Sequence, residues 1–361
     1  MLDRLRSRAR QCAFVLSLLC LTIVPQFAFA QATARVEEPP AIADSSALVP
    51  GPWDWTGKIG ATVAQSAFSP NWKGGDTGSF AWTMLGEFTG ERQVSTGFHW
   101  SHRLAFAYGQ TARQDRTAGV EDLVWQQPAK STDLLRFESV ARWTGPHWAN
   151  PFVSFGAETQ FLDQSSPIGT IHMNPIKLRE TVGFAHVFDK SETRELITRL
   201  GAGVRQTFAK SFIDPVTKET ASFTSNDGGI EWQTTAKQPI SGGKITYRSR
   251  LLVFAPLFYS RAGALEDYDA AVTAIDPTHT AVADYWRVPD VDWTSAFSTQ
   301  VTKAISVDLF LELMYDKFDT AANVDNSLPL DTVLRPEIER NIRLAGQFKQ
   351  TLGLGISTNI F

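Results

Sequence analysis

The chain has 361 residues and a formal net charge of −4. A balance so near neutral gives no general attraction to nucleic acid, and no nucleic-acid partner is expected. The mean hydropathy of −0.15 argues against a bundle of membrane helices but not against a barrel, in which only alternate strand residues meet lipid.

Residues 1–30 read as a secretory signal. Arg4, Arg6, Arg8 and Arg10 form a basic region, 13–24 is an apolar stretch too short to span a bilayer comfortably, and Ala28-Phe29-Ala30 is a small-x-small cleavage site. Both cysteines, Cys12 and Cys20, fall in the removed part. Leu19 precedes Cys20 where a lipoprotein signal carries a small residue, so lipidation is discounted. The mature chain needs no disulfide in an oxidising compartment. Residues 31–52, rich in Ala, Pro, Glu and Ser, form a flexible periplasmic lead-in. No later apolar run is long enough for a membrane helix, so the exported chain is soluble, secreted or a barrel.

From residue 53 to 361 one pattern recurs: a segment alternating apolar and polar residues, then a break. The segments are 53–68, 78–89, 94–111, 134–144, 151–162, 178–188, 196–209, 230–238, 244–259, 291–303, 307–316 and 341–361. The weakest are 178–188, which puts His186 on the apolar face, and the short 230–238. The apolar face carries residues such as Trp55, Val63, Met84, Trp100, Val182, Leu200, Trp232, Leu257, Tyr259 and Leu313. After the intermediate first break, the connections go short, long, short, long, as in bacterial barrels with short periplasmic turns and long external loops. The expected fold is therefore all-β: a single antiparallel transmembrane β-barrel of about twelve strands, with N- and C-termini periplasmic, in the bacterial outer membrane.

The last segment keeps its period over an unusual length, with Ile342, Leu344, Phe348, Leu352, Leu354, Ile356 and Ile360 on one face, and ends on Phe361. A terminal aromatic resembles the closing strand of outer-membrane barrels, where it belongs to the signal read by the barrel-insertion machinery. Here the apolar set is one residue out of step with Phe361, which implies a bulge or a degenerate signal. The implied partners are outer-membrane lipids and that machinery.

The opposite face gathers the charges. Lumen-lining candidates are Arg103, Arg136, Glu138, Arg142, Glu158, Arg199, Arg205, Glu231, Arg248, Arg250, Asp308 and Glu312, with Lys58, Glu87, Asp292, Arg343 and Lys349 on the same face. A mid-bilayer Arg or Lys facing lipid costs about 2–4 kcal/mol, which sends this face inward. The arginines either line a path for a small polar or anionic solute or pair with the carboxylates as an ion ladder.

Phe68, Ser69, Asn71, Trp72, Gly74 and Gly75 lie in the run FSPNWKGGDTGSFA. This resembles the first-hairpin hallmark, FS-x-NW-x-GG, of a bacterial family of uncharacterised outer-membrane barrels. The resemblance implies a barrel and supplies no catalytic residues. Physically, Asn71, Gly74 and Gly75 suit a tight turn, and Trp72 can fold over the rim or plug the mouth.

The remaining motifs are weaker. His99 and Ser101 sit two residues apart, as in outer-membrane phospholipases, but His102-Arg103 follows where that family has Asn-Gly. The register turns His99 and Ser101 inward without an orienting third group, which reads as lumen packing. His99 and His102 face opposite ways and cannot share a metal. Asp316, Asp319 and Asp325 lack calcium-loop spacing and read as a solvated acidic loop. No cofactor, metal or catalytic residue is expected. The leading reading is a non-enzymatic barrel, a narrow pore binding or transporting a small polar solute or a structural element, with a lipid hydrolase built on His99 and Ser101 as the alternative.

Overall fold

A bilayer and a water-filled interior impose opposite demands on alternate residues of a strand, and the computed structural model follows that sorting. It describes residues 49–68, 77–116, 123–145, 147–191, 193–302 and 305–359. The signal region, Asn71, Trp72, Gly74, Gly75 and Phe361 lie outside the described residues.

Each of the twelve alternating segments overlaps a long strand: β1 Asp54–Ser66, β2 Ser79–Ser95, β3 Phe98–Arg116, β5 Ala129–Trp143, β6 Asn150–Thr159, β9 Ile176–Lys190, β10 Glu195–Phe212, β11 Thr220–Ile240, β12 Ile245–Tyr259, β13 Asp290–Gln300, β14 Ile305–Tyr315 and β15 Gln347–Asn359. Three short strands decorate the long connections. β4, Leu123–Trp125, extends the edge of β3, and β7, Leu162–Asp163, pairs with β8, Ile171–His172. Both segments that looked weakest, β9 and β11, are full strands.

All pairings are antiparallel. The sheet order runs from β3 through β5, β6 and β9 to β15; β15 then pairs with β1 from Thr62↔Gly355 to Lys58↔Asn359. β1 pairs in turn with β2, and β2 with β3, so each long strand has a hydrogen-bonded neighbour on both sides. No helix among the described residues is long and apolar enough to cross a membrane.

The outward face is exposed and apolar. Val63, Met84, Val182, Phe184, Leu200, Trp232, Phe348 and Leu352 are all among the exposed large side chains. Tryptophan N–H groups on this face find hydroxyls on adjacent strands: Trp100 Nε1 donates to Ser139 Oγ at 3.0 Å, Trp232 Nε1 to Thr198 Oγ1 at 2.9 Å, and Trp293 Nε1 to Ser249 Oγ at 3.0 Å. Where water is scarce, each such donor needs a protein partner. His102, on this face, is enclosed by Trp53, Trp100 and Phe137, with ring centroids 5.2, 4.6 and 6.1 Å away.

Two expectations about facing are corrected. Tyr259 does not face outward. The register of β11 and β12 shifts at Gly228/Gly229, leaving Leu257 as an extra residue, and this bulge turns Tyr259 inward, where it is buried. Arg343 does not lie in the closing strand. β15 begins at Gln347, where its ladder with β14 ends at Met314, and residues 341–343 belong to the preceding loop, Ile342 bridging to Phe318.

The long connections are also more ordered than their composition suggests. The one between β10 and β11 is mostly strand, narrowing to residues 213–219. The connections after β12 and β14 carry the helices Ala262–Ile275 and Arg335–Arg340. Leu265, Tyr268 and Val272 are spaced to share one helical face, and they bury against Trp286, Phe318, Leu334 and Ile338. The two loops thus share a single apolar core, the largest of the three buried clusters among the described residues.

Candidate functional site

The inward face is a mesh of opposite charges contributed by successive strands. Arg103 Nη2 lies 3.1 Å from Glu87, Arg136 Nη2 2.6 Å from Glu158, Arg199 Nη1 3.2 Å from Glu138, and Arg250 Nη1 3.2 Å from Asp292. Glu231 meets Arg179 at 3.6 Å, and Glu312 meets Lys349 at 3.9 Å. Arg205 bonds Asp227 and, at 2.7 Å, Asp290, while its guanidinium lies 3.8 Å from the centre of the Phe254 ring. Arg142 is almost completely buried, and Arg248 shares the inward side of β12 with Arg250. Asp308 accepts hydrogen bonds from the hydroxyls of Ser298 and Ser306.

Neighbouring strands place one partner beside the other. The register aligns Arg136 with Glu158, Arg103 with Glu138, and Arg205 with Asp227. Arg199–Glu138 and Arg205–Asp290 reach across strands that are not adjacent, so these side chains cross the interior instead of lining a wide hole. The twelve sequence candidates are therefore brought together mainly as an ion ladder. The sequence reading missed Lys177, Arg179, Asp227 and Asp290; Arg179 shares its parity with the buried Thr181, a signal that could have found it.

The loop after β14 covers this interior. Lys177 Nζ of β9 donates to Asp319 Oδ1 at 3.0 Å, the Ser225 hydroxyl of β11 to the Thr320 carbonyl at 2.6 Å, and Asn323 Nδ2 to Ser211 Oγ of β10 at 2.9 Å. Residues 316–321 then form a partition. Asp316, Phe318 and Thr320 line an inner cavity of about 160 Å³, together with Arg136, Glu138 and Arg205. Asp319 and Ala321 line an outer cavity of about 400 Å³.

Of the acidic loop, Asp325 is exposed as expected, whereas Asp316 and Asp319 are drawn in against the wall. Burial, helped by Asp319 and Asp290, pushes the Asp316 carboxyl up to about 7. Burial would raise Asp319 too, but Lys177 and a backbone N–H hold it below the usual carboxylate range. Asp325 accepts from the N–H and hydroxyl of Ser327, a local turn. Among the described residues no cluster of three or more potential ligands could hold a metal ion.

His99 and Ser101 are both buried on the inward face, and His99 Nε2 lies 3.4 Å from Glu91. Among the described residues no hydrogen bond joins the pair.

A family model described as "Protein of unknown function (DUF3078)" matches residues 63–164. No curated protein matches the chain. Among solved structures, an outer membrane channel from Pseudomonas putida F1 aligns over 90% of this chain and 100% of its own, at 10% identity and a TM-score of 0.37. The translocator domain of the autotransporter NalP from Neisseria meningitidis aligns over 84% and 86%, at 7% identity and a TM-score of 0.31. The beta domain of the Bordetella autotransporter BrkA aligns over 84% and 96%, at 10% identity and a TM-score of 0.30.

Proposed function

We propose that the chain is a closed twelve-stranded barrel of the bacterial outer membrane, with both termini periplasmic, and that it offers a narrow, loop-covered path for small polar solutes without catalysing a reaction. The observation that carries this reading is the sorting of side chains. Large apolar residues are exposed on one face of the strands and ion pairs are buried on the other, the inverse of a soluble barrel. The two-sided pairing of β1 supports closure, which would leave no sheet edge unpaired in lipid.

A pore, rather than a purely structural barrel, is favoured by the cavities on either side of residues 316–321. The crossing ion pairs set its narrowness. Solute would pass by displacing this partition and moving along a polar wall whose charges are mutually compensated.

Planar-bilayer recording of the purified full-length protein tests the reading. Small conductance steps that grow when the partition is loosened are expected. Silence in both the natural protein and an Asp319→Asn variant would reject the pore and leave a structural barrel. Release from membranes by carbonate without detergent would reject the membrane placement. Lipid hydrolysis lost on His99→Ala would reject the non-catalytic reading.

A further inference from the structure

The outer cavity has a chemistry of its own. Its walls come from the connection between β6 and β9, the loop end of β10, and the segment around helix Arg335–Arg340. Its volume of about 400 Å³ is in the range of sites for small organic ligands.

The lining carboxylates are already engaged. Asp163 accepts from Asn174 Nδ2 at 2.6 Å and from the Ser165 N–H at 2.9 Å. Glu337 bonds Arg340 and accepts the Asn323 N–H at 3.4 Å. Asp319 is bound by Lys177 at 3.0 Å. Arg343 differs. Its Nη1 donates to the carbonyls of Arg340 and Ile342, and among the described residues no carboxylate lies within ion-pair distance. The positive charge of Arg343 nevertheless acts on Asp319, across the same cavity. One planar edge of a guanidinium, carrying Nε and Nη2, is therefore left for an oxyanion, and that fork matches a carboxylate.

The rest of the wall suits hydroxyl groups. The Ser165 hydroxyl has no protein partner among the described residues, and the Ser166 hydroxyl accepts the Ile168 N–H at 3.3 Å while keeping its own proton to donate.

We infer that the outer cavity is a binding site for a small hydroxylated carboxylate, with Arg343 holding the carboxylate and Ser165 and Ser166 meeting the hydroxyls. The inference rests on the pore reading only for its purpose, a site where solute gathers before the partition at Asp319; the site itself stands on the cavity.

Gluconate is the probe, with sorbitol as its uncharged counterpart and acetate as the bare carboxylate, titrated calorimetrically into the full-length protein in detergent. Gluconate is expected to bind, acetate more weakly and sorbitol not at all. Arg343→Gln should weaken gluconate about tenfold or more, since charge-assisted bonds are lost. Arg343→Lys should fall between. Ser165→Ala, which removes no protein contact, should weaken gluconate and leave acetate unchanged. Heat shift on unboiled gels confirms that each variant is folded. Sorbitol binding as well as gluconate, or gluconate binding that survives Arg343→Gln, overturns the site. Conductance recorded on the same samples keeps the two readings apart: a conducting protein that ignores gluconate refutes this site and leaves the pore intact.

Discussion

Lys177 Nζ lies 3.0 Å from Asp319 Oδ1, and this pair ties wall strand β9 to the loop that covers the interior. Its side chains are 38% and 29% exposed, so solvent screens the attraction, and its contribution is about 1 kcal/mol, roughly a fivefold bias toward the covered state. Asp319→Asn should raise the open fraction in bilayer recordings by about that factor. Lys177→Met should raise it further, because Asp319 and Asp316 then lose the cation they share. Equal open fractions in all three proteins would remove the latch.

The covered state should depend on pH through Asp316, whose carboxyl is pushed up to about 7 by burial and by Asp319 and Asp290. A raised acid holds its proton more tightly in the covered state than in an open, solvated one, where its pKa is about 3.9. Protonation therefore favours closure. The advantage is complete below the open-state value and is lost as pH rises toward 7. Asp319 works in the opposite sense, but only as pH falls through its depressed range, below the ordinary carboxylate value. Conductance should thus drop between pH 8 and pH 5. Asp316→Asn should flatten that response and hold the protein in its low-pH behaviour. A titration that is unchanged by Asp316→Asn would exclude this group.

The wall was legible in the sequence because lipid and a charged interior demand different residues at successive positions, and Leu200 beside Arg199 states that demand plainly. It became illegible where the strand passes under the polar loop after β14 and neither face is strongly apolar. Thr220–Asp227 of β11 reads TASFTSND, with little apolar contrast, so the alternation starts only at Ile230. The cap formed by the loops after β12 and β14 is illegible for another reason. The helical spacing of Leu265, Tyr268 and Val272 is present, but beyond Trp286 the residues they bury against, Phe318, Leu334 and Ile338, come from the loop after β14. Ile342 continued the alternation of the closing strand by coincidence; it packs against the cap core, and only the end of the β14 ladder reveals this. The ion pairs were visible as charges on a shared face, whereas the long reach of Arg205 to Asp290 follows from curvature that no local pattern records.

The assignment of faces can be tested at one neighbouring pair of positions. Leu200, 55% exposed on β10, should tolerate Ala with little effect on assembly. Leu200→Arg should cost about 2–4 kcal/mol in lipid. Reversible urea unfolding in phospholipid vesicles measures the difference. Arg at 200 with no cost beyond that of Ala would place this face in water and undo the membrane reading.

Arg205 is bonded to Asp227 and Asp290 and lies 3.8 Å from the centre of the Phe254 ring. Asp227 has almost no exposure of its own, with its side chain 2% accessible. Arg205→Ala would strip the cation from two carboxylates at once. Because an uncompensated buried charge is left behind, the expected loss of stability is about 3 kcal/mol, near the lower end for a broken buried pair. The same change makes the local wall negative. If the solute path runs past these strands, reversal potentials under a salt gradient should move toward cation preference, and Arg205→Lys should restore part of the original value, since it returns the charge without the fork. Arg205→Ala combined with Asp227→Asn should recover part of the stability lost in the single change, because the more buried of the two stranded carboxylates is gone. A double variant no more stable than the single one would mean that Arg205 acts through its contact with Phe254 and not through charge, and a reversal potential unmoved in a folded single variant would take the ion ladder off the conducting path.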